Sequence, residues 1–272
     1  MIEEISEHGL VMVGCGFMGQ ALLEGWLAQS IPQEAIFVTD PNPSEWLKQQ
    51  DGIKVNADLP ASPAVIVIAT KPQILDTVLP SLTHLGNANS VVVSIAAGVG
   101  ISRFEDAFGA STPIVRAMPN LPATIRMSMT ALHCNAQVDS AQKQLVADLF
   151  RASGSVVEID DEQDLHIITA LSGSGPAYVF AFAEALMRAG EGLGLSATVA
   201  RSLAIQTLAG AATMLEQGSS DAKSLKAAVT SKGGTTAAGL EQFDHKEHGI
   251  TDLVERTIEA ATSRSRELGG VT

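Results

Sequence analysis

The hydrophobic pattern divides the chain into an alternating first part and a helical second part. Up to about residue 160, short Val- and Ile-rich runs alternate with helical patterns. Such alternation is typical of a parallel sheet whose two faces are both covered by helices. The predicted strands are residues 10–13, 36–38, 65–68, 91–95 and 114–116, and the predicted helices between them include 18–29 and 139–150.

Beyond residue 160 no further strand is predicted. Pro176 at a first turn opens a helix over 176–189, and Ser196 caps a second one. A terminal helix follows over residues 251–268. We therefore expect an α/β Rossmann-type N-terminal domain with a parallel sheet, residues 1–162, and an all-α C-terminal dimerisation domain, residues 163–272.

Composition narrows the class of protein. The 272 residues are enough for two domains, and 17 Lys+Arg against 30 Asp+Glu give a net charge of -13. This charge argues against a nucleic acid or an anionic membrane as partner. Cys15 and Cys134 lack metal-ligand spacing, so neither a disulfide framework nor a metal site is predicted. With no signal-peptide pattern and no apolar run of about 20 residues, we expect a cytoplasmic protein without a membrane partner.

A glycine-rich turn carries the first candidate chemistry. Gly14-Cys15-Gly16-Phe17-Met18-Gly19 follows the first predicted strand and opens the first long helix. The three glycines suit a tight turn, a close approach of backbone to a pyrophosphate, and close packing of helix on strand. The phosphates would then lie at the helix N-terminus. The motif predicts a dinucleotide site, although glycine turns of this kind also occur for packing alone.

Asp40 bears on the choice of cofactor. It ends the second predicted strand, where an acid typically bonds the ribose 2′-hydroxyl, and no arginine lies between Gly19 and Arg103 to hold a 2′-phosphate. The sequence therefore favours NADH over NADPH. Two alternatives stay open: Asp40 caps the turn at residues 41–43, or Lys48 folds back toward a phosphate.

The carboxyl ends of two further strands should complete the cofactor site. Ala69-Thr70-Lys71-Pro72 follows one predicted strand and Ala96-Ala97-Gly98 follows the next, and such ends line the ligand crevice. Lys71 could equally be a solvated loop lysine. The predicted cofactor-binding residues are Gly14, Gly16, Phe17, Met18, Gly19, Asp40, Asn56, Ala69, Thr70, Lys71, Pro72, Ala96, Ala97, Gly98 and Asn120.

Three more segments carry a resemblance. They are Arg-Ala-Met-Pro-Asn-Leu-Pro at 116–122, Thr-Ala-Leu-Ser-Gly-Ser-Gly-Pro-Ala-Tyr at 169–178 and Val-Thr-Ser-Lys-Gly-Gly-Thr-Thr at 229–236. Together with the glycine turn and Lys71-Pro72, this set resembles the pyrroline-5-carboxylate reductase family over nearly the whole chain. The resemblance implies reduction of 1-pyrroline-5-carboxylate to L-proline with NADPH or NADH, the final step of proline synthesis. It also implies a homodimer or a ring of dimers. Lys232 and residues 125–129 depart from the usual family pattern.

Two segments of small residues are candidates for the substrate site. Residues 172–175 precede a predicted helix, where free amides and the helix dipole would form an anion socket, and residues 230–236 hold two glycines and four hydroxyls. By resemblance the second segment takes the carboxylate while the first shapes the pocket; both could instead be ordinary helix caps. The predicted substrate-binding residues are Met118, Pro119, Ser172, Ser174, Gly175, Ser231, Gly233, Gly234, Thr235 and Thr236.

The chemistry requires hydride transfer to the imine carbon and protonation of the ring nitrogen. Since the motifs hold no histidine and no acid, Thr236 is the first candidate for hydrogen bonding to the nitrogen and Thr235 the second. A threonine hydroxyl is a weak acid, so orientation or relay from water is the expected role. His166, His245 and His248 show no metal or triad pattern and are expected to be structural or solvated.

Two other classes of protein share parts of this pattern. A β-hydroxyacid or imine dehydrogenase of the same two-domain plan relies on a lysine in the first helix of its second domain. Residues 164–189 contain no lysine, which argues against that class. A dinucleotide-sensing regulator without catalysis would have little use for a second anion-binding loop.

Overall fold

The computed structural model describes residues 1–86 and 89–270 and divides into two compact units. The first unit comprises residues 1–174 together with the C-terminal segment from residue 261, and the second comprises residues 175–260. The division falls later in the chain than the predicted boundary at residue 162. That boundary stays a prediction, because compactness does not test which segment folds by itself.

The first unit is built on an eight-stranded sheet of order β3-β2-β1-β4-β5-β6-β7-β8. Its strands are β1 (Leu10–Val13), β2 (Ile36–Thr39), β3 (Lys54–Val55), β4 (Val65–Ile68), β5 (Val91–Ser94), β6 (Ile114–Met118), β7 (Ser128–Cys134) and β8 (Gly154–Glu158). All neighbours are parallel except β6 and β7. The connection from β6 to β7 is too short for a crossover, so these two strands pair antiparallel. The expected parallel sheet is thus confirmed apart from this one pair.

Helices cover both faces of this sheet. They are α1 (Ile2–His8), α2 (Phe17–Ala28), α3 (Glu45–Lys48), α4 (Leu75–Val78), α5 (Ile101–Phe108), α6 (Ser140–Arg151) and α7 (Asp164–Ile168). In β1, Leu10 and Met12 belong to one hydrophobic cluster, while Val11 and Val13 belong to the other. This alternation explains why the strand is apolar at every position. The fully buried Trp26 in α2 also donates a 2.9 Å hydrogen bond to the carbonyl of Leu149 in α6.

The second unit is helical. Its helices are α8 (Gly175–Gly192), α9 (Ala197–Gln217), α10 (Ala222–Ala228), α11 (Thr235–Phe243) and the first part of α12 (Ile250–Leu268). Ser196 caps α9 as predicted, its hydroxyl accepting from the amide of Val199. Asp221 caps α10 and accepts from the amide of Ser224, a bond that lowers the pKa of the Asp221 carboxyl.

One helical run is longer than the sequence suggested. The helix continues from Asp164 to Gly192, 29 residues, because a π-helical turn at Thr169–Gly173 joins α7 to α8. By length and composition alone this run could cross a membrane, which corrects the expectation that no segment is long enough. The glycines and Pro176 had suggested a break. The core helix of a soluble protein can have the same length and composition.

Candidate active site

The glycine turn has the local geometry that the motif predicts. Gly14 has φ of +86°, and a Cβ there would lie 2.8 Å from Cγ2 of Thr70. A Cβ on Gly19 would lie 2.9 Å from the carbonyl oxygen of Gly14. Gly16 differs, because among residues 1–86 and 89–270 nothing beyond its two chain neighbours comes within 4 Å of its Cβ position. The first and third glycines therefore serve the fold, and the second leaves the backbone open to a ligand.

The N-terminus of α2 is suited to an anion. Gly16 is its N-cap and no side chain caps it, so amides of the first turn stay available. A cavity of about 430 Å³ opens beside this end, at the carboxyl edge of the sheet. Its lining residues are Gly16, Phe17, Met18, Ala69, Thr70, Lys71, Pro72, Ile95, Ala96, Ala97, Met118, Pro119, Asn120, Leu121 and Gly173. Most predicted cofactor residues are thus brought together. Gly14 and Gly19 lie in the turn itself, and Asp40, Asn56 and Gly98 are outside this lining.

A buried hydroxyl supports the fit of a polar ligand in this cavity. Thr70 Oγ1 is buried and has no hydrogen-bond partner among the described residues. An unpaired buried hydroxyl costs free energy, so a ligand that bonds it gains affinity. The free helix end, the open Gly16 and the unpartnered Thr70 together suit a phosphate-bearing dinucleotide.

Two larger cavities do not combine these features. One of about 690 Å³ is lined by Ala64 and Asn89, which precede β4 and β5 at the amino edge of the sheet. Another of about 740 Å³ shares Pro72 and Ala97 with the cofactor cavity but reaches toward Gly269 instead of the glycine turn. The candidate site is therefore identified by its residues and not by its size.

Asp40 is tied to the glycine turn. Its Oδ2 accepts a 2.7 Å hydrogen bond from the amide of Cys15, and its Oδ1 accepts a 2.7 Å bond from the amide of Asn42. The side chain of Asn56 accepts a hydrogen bond from the main-chain amide of Asp40 and donates one to the carbonyl of Asp40. Asp40 thus caps the turn that follows it, which was one of the open alternatives. A role at the ribose stays a prediction.

The other alternative, Lys48 at a phosphate, stays a prediction, since Lys48 lies in an exposed ion pair. Its ammonium lies 2.7 Å from a carboxylate oxygen of Glu45, and this bond lowers the pKa of the Glu45 carboxyl.

The thiol of Cys15 is buried beside Asp40. Burial, with the charges of Asp40 and Glu24, raises the pKa of Cys15 to about 12. Cys15 is therefore a neutral packing residue at physiological pH.

The anion socket expected at residues 172–175 is not formed by a free helix end. The helix passes through this segment as a π turn, and the amide of Ser174 donates to the carbonyl of Thr169 at 2.8 Å. Ser172, Ser174 and Gly175 are half-buried. The Ser174 amide is bonded inside the helix and is not free to bind an anion. We therefore expect this segment to contribute its surface shape to the pocket.

A free helix end does occur in the second unit, at the other candidate segment. Gly234 is the N-cap of α11, with no side-chain cap, and Gly233 has φ of +75°. The amide of Gly234 donates to the carbonyl of Ser231 at 3.0 Å. Thr235 and Thr236 open the helix and are exposed. This loop has the uncapped amides that recognition of a carboxylate requires.

Buried charged and polar groups beside β6 were not predicted. Arg116 is 6% exposed and lies 2.7 Å from Glu162, which also accepts from the amide of Ile101. His166 lies 2.9 Å from the hydroxyl of Ser265. Burial, followed by the charges of Arg116 and Arg266, lowers the pKa of His166. In the sequence, the feature that indicates a buried charge here is Arg116, which lies within an otherwise apolar predicted strand.

The remaining histidines do not assemble a metal site. His245 and His248 stack with ring centroids 3.7 Å apart. Within residues 1–86 and 89–270, no group of three or more His, Cys, Asp or Glu side chains could hold a metal ion.

Comparison with known proteins covers both units. Residues 162–268 match the family described as pyrroline-5-carboxylate reductase dimerisation, and residues 9–98 match the family described as NADP oxidoreductase, coenzyme F420-dependent. The pyrroline-5-carboxylate reductase of Pseudomonas aeruginosa is 37% identical over 97% of this chain and 98% of its own length.

Solved structures of pyrroline-5-carboxylate reductases are also similar to this chain. A pyrroline-5-carboxylate reductase from Coxiella burnetii is 33% identical with a TM-score of 0.88, covering 96% of this chain and 98% of its own. The pyrroline carboxylate reductase of Plasmodium falciparum, solved with NADP bound, is 31% identical with a TM-score of 0.84 and the same coverage. Taken together, the two matched families give an NADP oxidoreductase domain followed by a dimerisation domain. From its first strand to its last helix, this chain belongs to the pyrroline-5-carboxylate reductase family.

Proposed function

We propose that the chain reduces 1-pyrroline-5-carboxylate to L-proline with a nicotinamide dinucleotide, as the final step of proline synthesis. The observation that carries this proposal is the whole-length likeness to curated pyrroline-5-carboxylate reductases, 37% identity over 97% of the chain. The uncapped α2 N-terminus beside a cavity of about 430 Å³ supports the cofactor half of the proposal.

The substrate carboxylate is held by the loop of residues 231–236. Its support is the uncapped N-terminus of α11, where the amides that follow Gly234 have no side-chain partner. In a chain of net charge -13, an anionic substrate needs a local positive field, and a helix N-terminus supplies one without a charged side chain. Residues 172–175, with Met118 and Pro119, shape the pocket around the ring.

Thr236 orients the imine. When bound, the dinucleotide supplies the hydride that adds to the imine carbon, and the ring nitrogen gains a proton. The Thr236 hydroxyl donates a hydrogen bond at the nitrogen or relays a proton from water, with Thr235 as the second candidate. Because an imine nitrogen is itself basic, most of the rate comes from holding the substrate in a reactive position.

The cofactor lies along the glycine turn and the cavity beside it, and NADH is preferred. The support is the carboxylate of Asp40 at the end of β2. Asp40 already accepts two amides, so its effect at the ribose is modest. The Plasmodium falciparum relative holds NADP, and NADPH is therefore the alternative to be tested.

The working form is a homodimer or a ring of dimers in the cytoplasm, with no membrane or nucleic-acid partner. Large apolar side chains of the second unit are exposed in the single chain, among them Phe180, Leu203 and Met214, at 55–59%. A partner subunit is the occupant that the dimerisation family implies, and its contact also accounts for the apolar run of residues 164–192.

Steady-state kinetics test the proposal. The oligomer is assayed with 1-pyrroline-5-carboxylate and each of NADH and NADPH, and proline is identified as product by mass spectrometry. The matched control substrate is 1-pyrroline, which lacks only the carboxylate and should show a KM at least about 10-fold higher, the loss expected for charge-assisted hydrogen bonds. Absence of proline with both cofactors would overturn the proposal.

A further inference from the structure

The side-chain amide of Asn120 has all its hydrogen-bonding capacity in use. Nδ2 lies 3.2 Å from both the carbonyl oxygen and the hydroxyl of Ser172. Oδ1 accepts from the hydroxyl of Ser128 at 3.0 Å and from the amide of Met129 at 3.1 Å. A side-chain amide can donate two bonds and accept two, so no capacity is left for another ligand.

The partners also fix which way the amide points. The main-chain N–H of Met129 can only donate, so the atom facing it must be the oxygen. The carbonyl of Ser172 can only accept, so the atom facing it must be the nitrogen. The orientation of Asn120 therefore follows from main-chain groups and not from a hydroxyl that could rotate.

Pro176 explains why the Ser172 carbonyl needs this donor. In a regular helix that carbonyl would accept from the amide of residue 176, and proline has no N–H. The helix is locally widened here into the π turn Thr169–Gly173, closed by the bond from the Ser174 amide to the Thr169 carbonyl. Asn120 supplies a donor from outside the helix to the carbonyl that Pro176 cannot serve.

The place of the π turn sets one wall of the cofactor cavity. Gly173 and Met118 both line that cavity, and a Cβ on Gly173 would lie 2.5 Å from Cε of Met118. A small displacement of the turn would thus move Met118 or open a gap beside it. Asn120, which follows β6, connects the turn to the start of β7 through Ser128.

We propose that Asn120 is a positioning residue for the reaction. Its side chain holds the π turn against the carboxyl end of β6, so that residues 172–175 keep the surface they present to the substrate. It acts through Ser172 and not by contact with the dinucleotide. The part of the proposal that concerns the substrate rests on the proposed function, whereas the tethering of the turn does not.

Asn135 offers a matched control. At the amino end of β6 its Nδ2 donates to Glu105 and to the carbonyl of Thr112, and its Oδ1 accepts from the amides of Ile114 and Gln137. It is outside the lining of the cofactor cavity. In both Asn120→Asp and Asn135→Asp the shape and the accepting oxygen persist, while the donor becomes a charged oxygen that faces a carbonyl. At residue 135 it also faces the carboxylate of Glu105, so the control is the harsher substitution.

Three measurements on the two variants and wild type test the proposal: hydrogen exchange of a peptide covering residues 165–175, Kd of NADH and NADPH, and kinetics with 1-pyrroline-5-carboxylate. We expect faster exchange in that peptide only for Asn120→Asp. The same variant should lose about 10-fold or more in kcat/KM for the imine, the scale of leaving a half-buried acceptor unpaired. Because Gly173 also lines the cofactor cavity, cofactor Kd should rise as well, but by a smaller factor. If Asn120→Asp does not fold, Asn120→Ser, which lacks the charge, is measured instead.

Two results would overturn the proposal. A rise of about 10-fold in cofactor Kd with unchanged exchange would make Asn120 a cofactor contact. If Asn120→Asp and Asn135→Asp show the same hydrogen exchange and the same kcat/KM per folded molecule, Asn120 contributes only to stability. If wild type fails to reduce the imine, the proposed function fails, and the exchange measurement still decides whether Asn120 holds the turn.

Discussion

The main-chain amide of Cys15, inside the glycine turn, donates a 2.7 Å hydrogen bond to the carboxylate of Asp40 at the end of the neighbouring strand. The turn is therefore held by an acid on β2 as well as by its glycines. The same carboxylate lies near the buried Cys15 thiol, and it adds to burial in raising the pKa of that thiol to about 12.

Stability at alkaline pH should depend on Cys15. In the unfolded chain this thiol ionises near its ordinary pKa of 9.0, whereas in the folded protein it stays protonated to about 12. The unfolded state then binds fewer protons, so the free energy of unfolding falls as pH rises from 9 toward 12, by at most about 1.4 kcal/mol per pH unit. Urea titrations at pH 8, 9 and 10 should give a smaller pH slope for Cys15→Ala than for wild type. Equal slopes would contradict the buried thiol.

Gly16→Val should abolish dinucleotide binding and keep the fold. Apart from its chain neighbours, no described residue lies within 4 Å of the Cβ position at Gly16, so a larger side chain there has space in the fold and projects where a ligand would approach. Gly100 is the matched control: it is also an N-cap glycine in extended conformation, with φ of -74° and ψ of 158°, and it does not line the cofactor cavity. Fluorescence titration should show NADH and NADPH binding by Gly100→Val only. If folded Gly16→Val protein bound NADH or NADPH with undiminished affinity, the glycine turn would not be part of the dinucleotide site.

Asp40→Asn should narrow a preference for NADH. The carboxylate at the end of β2 repels a 2′-phosphate, and the substitution removes that charge while keeping an acceptor for the amide of Asn42. We expect a higher wild-type kcat/KM with NADH, and a smaller ratio in the variant. Glu45→Gln is a companion variant that releases Lys48 from its ion pair. A wild-type preference for NADPH would show that Asp40 serves the turn alone.

Thr236→Val should lower kcat with little change in KM or in cofactor affinity. The substitution keeps the shape of the side chain and removes the hydroxyl, whose bond is strongest in the transition state. A bond worth about 1.5–3 kcal/mol corresponds to a loss of roughly 10- to 150-fold. Thr235→Val is the companion variant, because Thr235 is the second candidate for the same bond, and a larger loss in this variant would assign the bond to Thr235. Retention of wild-type kcat/KM across the pH range by Thr236→Val would mean that solvent alone protonates the nitrogen.

The protein should be active only as an oligomer that forms through its second unit. Leu203 in α9 is 55% exposed in the single chain, and Leu203→Glu would place a charge on this apolar face. We expect at least a dimer by light scattering for wild type, and dissociation with loss of activity for the variant. A wild-type monomer that is fully active at assay concentration would contradict this prediction.

The sequence predicts those parts of the fold that depend on local patterns. Residues 65–68 are apolar at every position, and they form the fully buried β4. β7 was missed because Ser128 and Thr130 interrupt its apolar pattern, although both are buried. β8 is an edge strand with exposed positions and no local signal that separates it from a loop.

The candidate site divides in the same way. The glycine turn could be predicted because three backbone requirements fall within six residues. The bonds of Asn120 could not, since Ser172 is 52 residues away and the need for a donor arises only from the π turn. Pro176 was interpreted as the start of a new helix, whereas the chain continues through it as one helical run.

The return of α12 to the first unit makes the nucleotide-binding part of this protein discontinuous in sequence. A Cβ on Gly269 would lie 2.3 Å from the carbonyl of Gly98, so the end of α12 fits directly against the loop after β5. Ser265, from the same helix, meets the buried ring of His166. A fragment cut after residue 174 would expose both of these surfaces to water. An autonomous cofactor-binding fragment would instead need residues 261–270 grafted back through a linker.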